Sequence, residues 1–149
     1  MESVVLRTAL TDIQVRFADT DMLGHINNTA YAAFTEVGRS DFFTSLFGEV
    51  PWFVLARMEL DFRREGFLAD KLQVRTSAEA LGTTSMTLRQ DIYRGDECVV
   101  TTRCVLVCID RDTRKKGNIP QTWTLPQESD APVYVTRLHA ARASERGEG

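Results

Sequence analysis

The sequence predicts an α+β domain in which one long helix packs across the apolar face of an antiparallel sheet. A strand-like alternation comes first, and a stretch of helical periodicity follows it over residues 28–46. Four further alternating segments come next, with Gly66, Gly82 and Gly95 in the connections between them. One helix between a first strand and a run of hairpins is typical of α+β folds.

Length and composition favour one domain covering residues 1–149. The chain has 149 residues, of which 43% are hydrophobic and 26% charged. A net charge of −3 argues against a nucleic-acid or anionic-membrane partner. No apolar stretch approaches the roughly 20 residues that span a bilayer, and no secretory signal begins the chain, so a cytoplasmic location is expected. We expect a flexible tail from about residue 140.

The first strand is predicted to end at an acidic pair, Asp19 and Asp21, after a leader of uncertain structure over residues 1–10. Its apolar positions are Ile13, Val15 and Phe17, and its polar positions are Asp12, Gln14 and Arg16. A loop over residues 22–26 then leads to Asn27 and Asn28, either of which can cap a helix through its short amide side chain.

The predicted helix runs from Asn28 to about Leu46, and Gly48 and Pro51 end it. Its apolar surface comprises Ala30, Ala33, Phe34, Val37, Phe42 and Leu46. Gly38 lowers helix propensity, which indicates a close approach of the helix to the sheet at that point.

The four later strands have one apolar and one polar face. The apolar positions are Val54, Ala56, Met58, Leu60 and Phe62; then Leu72, Val74, Thr76, Ala78 and Ala80; then Met86, Leu88 and Ile92; the last strand covers residues 97–109. Cys98, Cys104 and Cys108 in that last strand are expected to share a face and to act as small buried hydrophobes rather than as a metal site.

Residues 19–36 carry the predicted chemistry. A carboxylate stands just before a helix, whose first backbone N–H groups are unpaired and lie at the positive end of the helix dipole. Such N–H groups can stabilise an oxyanion while the carboxylate attacks or activates water. An isolated aspartate at such a place would more often brace a turn. The surrounding residues favour the catalytic interpretation for Asp21 and a structural one for Asp19.

This stretch resembles the signature of the 4-hydroxybenzoyl-CoA thioesterase-like branch of the hotdog-fold thioesterases. The matching residues are Arg16, Phe17, Asp19, Thr20, Asp21, Gly24, His25, Asn27, Asn28, Tyr31 and Glu36. The resemblance implies a hotdog fold, in which an antiparallel sheet of five to six strands wraps around one long central helix. It also implies that Asp21 is the catalytic carboxylate and that the backbone N–H of Asn28 is the oxyanion donor.

The same resemblance places other residues around the substrate. Gly24, His25, Asn27 and Tyr31 are expected to bind it; His25 either braces the loop or orients the substrate carbonyl or water. Glu36 lies two helical turns past the cap, where its default role is a structural hydrogen bond or ion pair, and it is the second candidate for the catalytic acid.

The turn at residues 82–85 corresponds to one that is basic in the 4-hydroxybenzoyl-CoA enzyme. Here Thr83 and Thr84 are candidate substrate contacts, but the turn has no cation. Other basic residues are candidates for meeting phosphate, namely Arg63, Arg64, Arg94, Lys115 and Lys116. Because they are expected on the surface, we predict only a weak hold on the nucleotide end of coenzyme A.

The expected activity is hydrolysis of an acyl-CoA to a carboxylic acid and free coenzyme A. Coenzyme A is then part of the substrate, and no metal or other cofactor is expected. Three alternatives stay open: a thioesterase acting on a carrier-protein thioester, a non-catalytic acyl-thioester binding protein, and a hydratase or dehydratase, to whose sites the surroundings of His25 bear no resemblance. The open sheet edges predict a homodimer or homotetramer, and the resemblance implies an active site between two subunits.

Overall fold

A long helix lies on one face of a six-stranded sheet in the computed structural model, which describes residues 2–135. The elements are β1 (Val4–Val5), β2 (Ala9–Gln14), a 3-10 turn (Phe17–Asp19), α1 (Asn28–Phe47), β3 (Phe53–Phe62), β4 (Lys71–Leu81), β5 (Ser85–Arg94), β6 (Glu97–Cys108), β7 (Trp123–Thr124) and β8 (Val133–Val135). The large sheet has the order β3-β6-β5-β4-β2-β8, and β1 pairs separately with β7. This confirms the predicted α+β fold; the tail expected from about residue 140 lies outside the described residues.

The first strand is displaced toward the N-terminus from its predicted position. β2 begins at Ala9 and ends at Gln14, so the leader contains part of it, as well as β1. Val15 is buried as predicted, but Phe17 is 81% exposed and belongs to the 3-10 turn. The Asp19 side chain accepts a hydrogen bond from the Arg16 backbone N–H at 2.8 Å, which turns the chain before the alternation can continue.

The helix has nearly its predicted bounds and ends where Gly48 adopts a φ of +75°. The Gly48 N–H bonds the carbonyl of Thr44 at 2.8 Å. Ala30, Phe34 and Phe42 are buried as expected, whereas Ala33 is exposed because it lies on the side of the helix away from the sheet.

The predicted close approach of helix and sheet occurs at Gly38. A Cβ atom there would lie 2.7 Å from Val74 Cγ1 and 3.0 Å from the Gln90 amide nitrogen. Gln90 is fully buried and donates to the Thr35 carbonyl at 2.8 Å and to Thr76 Oγ1 at 3.0 Å. These polar groups lie between two apolar clusters, one around Tyr31 and Phe34 near the start of α1, and one around Phe42 and Phe43 near its end.

β3 forms one edge of the sheet, and both its faces are partly exposed. Its alternation shifts between Leu55 and Arg57, where the register with β6 slips by one residue. Val54, Leu55 and Phe62 are 53%, 42% and 47% exposed. The predicted apolar face of β3 is therefore only partly buried: Met58 and Leu60 pack against the core, whereas Val54, Ala56 and Phe62 are exposed.

The three cysteines do not share a face. The β5–β6 register slips between Ile92 and Tyr93, which leaves Val99 as an extra residue in β6. Cys104 is buried, whereas Cys98 lies opposite Tyr93 and is only half-buried. Burial raises the thiol pKa of both, which keeps them as protonated thiols at neutral pH.

Candidate active site

A pocket of about 400 Å³ opens at the N-terminal end of α1. Five residues predicted for the site line it: Asp21, His25, Asn27, Asn28 and Tyr31. The opposite wall comprises Phe62, the last residue of β3, and the four residues that follow it, Arg63, Arg64, Glu65 and Gly66. The two walls are joined through their backbones, since the Ile26 N–H bonds the Gly66 carbonyl at 2.8 Å.

Asp21 both braces its turn and presents a free oxygen. Its Oδ1 accepts hydrogen bonds from the backbone N–H groups of Leu23, at 2.9 Å, and His25, at 3.0 Å. The side chain is exposed, and its Oδ2 has no hydrogen bond within the described part of the chain. The bracing role and a catalytic role are thus compatible, because one carboxylate oxygen fixes the orientation of the other.

Asp19, two residues earlier, has a purely structural environment. It is 6% exposed and bonds the Arg16 guanidinium at 3.1 and 3.3 Å. Burial alone would raise the pKa of the Asp19 carboxyl, but the hydrogen bonds and the charge of Arg16 outweigh burial and lower it. This agrees with the prediction that Asp19 is the structural acid of the pair.

The two asparagines contribute backbone rather than side-chain groups. Asn27 occupies the N-cap position, but its amide makes no capping hydrogen bond, so the predicted side-chain cap is wrong. Its N–H instead bonds the Asp19 carbonyl at 2.8 Å, which ties the helix start to the acidic loop. The backbone N–H of Asn28, the first residue of α1, has no acceptor among the described residues and lies at the positive end of the helix.

Tyr31 is an aromatic wall with an unsatisfied hydroxyl. Its ring is 2% exposed and lies 5.9 Å from the Phe34 ring and 5.8 Å from the Phe62 ring. Its hydroxyl finds no acceptor in residues 2–135. Burial, followed by the charge of Asp70, raises its pKa, so it remains a hydrogen-bond donor at neutral pH. A Cβ atom at Gly66 would come within 2.3 Å of this oxygen, so glycine is required there.

His25 lies beside a carboxylate that the sequence did not single out. Its Nε2 is 3.9 Å from Glu65 Oε2, and its ring meets the edge of Phe67 at 5.0 Å. Gly24 has a φ of +80°, which allows the turn before His25, but it does not line the pocket. Glu65, Gly66 and Phe62 were missed because no spacing rule links the end of β3 to residues 19–31. Only the tertiary fold brings the two segments together.

Like Gly24, three further predicted site residues do not line this pocket. Thr83 and Thr84 lie in the β4–β5 turn, about 30 Å away along the strand, where their carbonyls accept from Ile119 and Cys108 at 2.7 Å. Glu36 is exposed on α1, about 12 Å along the helix from Asn28. Asp21 is therefore the better placed of the two candidate acids.

Residues 2–135 contain neither a metal-binding cluster nor a membrane-spanning helix. Residues 2–135 contain no group of three or more His, Cys, Asp or Glu side chains arranged to hold a metal ion. Over the same range, no helix has the length and apolar character needed to cross a membrane.

Sequence comparison connects the pocket to enzymes. The profile of the thioesterase-like superfamily matches residues 15–127, which include the whole pocket. The long-chain acyl-CoA thioesterase FadM of Escherichia coli (strain K12) is 31% identical over 113 residues, covering 70% of this chain and 86% of FadM. The acyl-CoA thioester hydrolase YbgC of Escherichia coli O6:H1 is 25% identical over 118 residues, covering 74% of this chain and 88% of YbgC.

Structure comparison gives the same family. A thioesterase from Thermus thermophilus, solved with coenzyme A and zinc, superposes with a TM-score of 0.67 at 29% identity. The match covers 75% of this chain and 85% of that one. The helix-on-sheet arrangement described above is therefore that of solved thioesterases.

Proposed function

Since this chain belongs to the thioesterase-like superfamily and is a thioester hydrolase, we propose that its substrate is an acyl-coenzyme A. Water cleaves the bond between the acyl carbon and sulfur, which gives a carboxylic acid and the free thiol of coenzyme A. The observation that carries this proposal is one pocket with two polar groups that have no hydrogen bond among the described residues: a carboxylate oxygen of Asp21 and the helix N–H of Asn28.

Asp21 has two possible roles in the proposed reaction. As a general base, its Oδ2 takes a proton from water, which attacks the thioester carbonyl. As a nucleophile, the same oxygen attacks the carbonyl, expels the thiolate and forms a mixed anhydride that water then hydrolyses. In both routes the Asn28 N–H and the helix dipole stabilise the developing oxyanion.

The remaining pocket residues bind the substrate in this proposal. His25 and the backbone around Asn27 hold the polar thioester and pantetheine groups. The Tyr31 ring forms part of the pocket wall, while its hydroxyl is buried against Gly66. Phe62 provides an apolar surface for the acyl group. A cytoplasmic location stays a sequence prediction.

We also propose a homodimer formed through β3. Within residues 2–135, nothing pairs with the outer backbone groups of β3, and its Val54 and Leu55 side chains are exposed, which favours pairing with a second copy. Leu55→Lys should weaken this pairing by placing a charge at the interface, and light scattering would then report monomers that hydrolyse thioesters more slowly. A wild-type monomer with full activity at nanomolar concentration would contradict the proposal.

A panel of thioesters tests the proposed function. Acetyl-, hexanoyl-, octanoyl-, palmitoyl- and benzoyl-CoA are incubated with the protein, and free thiol is measured with a chromogenic disulfide reagent. We expect turnover of at least one acyl-CoA that disappears in Asp21→Asn. Binding without thiol release would contradict the proposal, and turnover confined to acyl groups on a carrier protein would change the substrate class.

A further inference from the structure

A basic hairpin lies between β6 and β7, far from the pocket of its own chain. Arg111, Arg114, Lys115 and Lys116 are all exposed there, and none has a carboxylate within 4.0 Å in the described part of the chain. We infer that this hairpin, contributed by the second copy of the chain, binds the phosphate groups of coenzyme A at the mouth of the Asp21 pocket. The inference rests on the proposed function and dimer.

The hairpin has an ordered backbone. The Asp110 side chain accepts hydrogen bonds from the N–H groups of Asp112 and Thr113, both at 2.9 Å. The Arg114 N–H bonds the Asp110 carbonyl at 2.9 Å, and the Asp110 N–H bonds the Lys115 carbonyl at 2.8 Å. The cations therefore project from a fixed turn, so less backbone freedom is lost when they bind an anion.

Two of the arginines lean toward the open sheet edge. The guanidinium carbons of Arg114 and Arg111 lie 5.0 and 5.8 Å from the centre of the Trp52 ring, which is 44% exposed. Trp52 directly precedes β3, and its carbonyl accepts from the Ile109 N–H at 3.0 Å. The positive charge is thus held beside the first residues of the edge strand.

Within one chain, the hairpin and the pocket lie at opposite ends of β3. The strand begins at Phe53 beside the hairpin and ends at Phe62 in the pocket wall, a length of about 33 Å. A two-fold axis that pairs two β3 edges makes them antiparallel, so the beginning of one strand lies beside the end of the other. The second copy's hairpin then adjoins the segment at residues 63–66.

The arginines near the pocket differ in their partners: Arg94 and Arg64 are paired with carboxylates, whereas Arg63 bonds only a neutral hydroxyl. Arg94 lies 2.6 Å from an Asp70 carboxylate oxygen, Arg64 lies 3.4 Å from one of Glu97, and Arg63 donates to Thr101 Oγ1 at 3.1 Å. The second copy's hairpin would add to Arg63 four more cations that have no carboxylate within 4.0 Å in the described residues. Coenzyme A would then be held more strongly than the uncharged 82–85 turn predicts.

Removing the arginines tests the inference. Arg111→Gln/Arg114→Gln is compared with wild type and with Arg89→Gln/Arg103→Gln, which removes the same charge from the outer sheet face. Octanoyl-CoA, octanoyl-4′-phosphopantetheine and octanoyl-pantetheine are the probes. We expect wild type and control to prefer octanoyl-CoA over octanoyl-pantetheine by about tenfold in kcat/KM at low salt, and the hairpin variant to lose that preference.

The three probes separate failure of the inference from failure of the proposed function. Equal kcat/KM values for octanoyl-CoA and octanoyl-pantetheine in wild type would overturn the phosphate site and leave the thioesterase proposal intact. If octanoyl-4′-phosphopantetheine has the same kcat/KM as octanoyl-CoA in wild type, and both exceed octanoyl-pantetheine, the hairpin binds the one phosphate that coenzyme A shares with carrier proteins. If no probe is hydrolysed, calorimetry with coenzyme A alone decides: equal affinity of wild type and hairpin variant overturns the inference.

Mixed dimers test whether the hairpin acts across the interface. Asp21→Asn is mixed with the hairpin variant, so that each mixed dimer has one site with Asp21 from one subunit and an intact hairpin from the other. Random assortment should restore about a quarter of wild-type octanoyl-CoA turnover at low salt. If mixing restores none while subunit exchange is shown by mass spectrometry, the hairpin does not act across the interface and the inference is wrong.

Discussion

The two ends of α1 contrast in how completely their polar groups are satisfied. At the C-terminal end, Phe47 stacks on Trp123 at 4.9 Å and Phe43 on Phe53 at 5.3 Å, and Gly48 closes the last turn. At the N-terminal end, the Asn28 N–H, one Asp21 oxygen and the Tyr31 hydroxyl have no partner in residues 2–135.

This difference indicates where binding energy is available. A satisfied, apolar end contributes to the free energy of unfolding and offers little to a ligand. Asp21 and Asn28 are exposed, so water can satisfy their polar groups at little cost in stability, and a ligand can replace that water. Substitutions at the C-terminal end should therefore change stability, and substitutions at the N-terminal end should change rate.

The largest expected effect is at Asp21. Asp21→Asn keeps the size of the side chain but is a poor base and nucleophile, so kcat should fall by about 10²–10⁴-fold while the unfolding midpoint in urea stays close to wild type. Glu36→Gln is the matched control on the helix and should cost much less. A stronger loss in Glu36→Gln than in Asp21→Asn would move the catalytic acid onto α1.

Phe43→Ala tests the C-terminal end of α1. This side chain is 2% exposed and contacts Phe42 and Phe53, so its truncation should lower the free energy of unfolding by about 3–5 kcal/mol. Phe43→Leu retains most of the volume and should cost less. Both variants, assayed below their urea transitions, should hydrolyse thioesters at rates within about threefold of wild type. A rate loss like that of Asp21→Asn would show that the two ends are not independent.

Asn28→Pro removes the proposed oxyanion donor alone. Proline is tolerated as the first residue of a helix, and the preceding Asn27 has φ −64° and ψ 143°, which suits a residue before proline. We expect kcat to fall by about 10²–10³-fold with little change in stability. Asn28→Ala keeps the N–H and should retain most of the activity. Equal activity in the two variants would remove the Asn28 N–H from the mechanism.

The smallest effect is expected at Asp19 and depends on pH. The folded-state pKa of Asp19 is lowered, so its stabilising contribution is complete above the ordinary carboxyl pKa of about 3.9 and is lost as pH falls toward the folded value. Asp19→Asn should therefore lower the urea midpoint at pH 7 and approach wild type in acid. Asp96→Asn, at an exposed carboxylate, is the control. A difference that persists unchanged in acid would exclude the ionised Arg16 contact as its cause.

Local patterns predicted the helix and most of one wall of the pocket. The bounds of α1, the close approach at Gly38 and the clustering of Asp21 with Asn28 follow from periodicity, glycine placement and the residue 19–36 signature. The displaced β2, the slip near Val99 and the opposite wall around Glu65 depend on contacts between distant segments. No local spacing encodes those contacts. Thr83 and Thr84 lie at the other end of β4 from the pocket of their own chain, and their contact with substrate stays a prediction.

The fit of Gly38 against Val74 and Gln90 has a consequence for the reaction itself. Asn28 is ten residues from Gly38, about 15 Å along a rigid helix, so the contact at Gly38 sets how far the helix start reaches toward the Asp21 loop. A slip of one residue would move the N–H by about 1.5 Å and turn it by about 100°, while a misplacement of about 1 Å can cost 10²-fold in rate. The packing at the middle of α1 thus fixes the position of the distant N–H that we propose as the oxyanion donor.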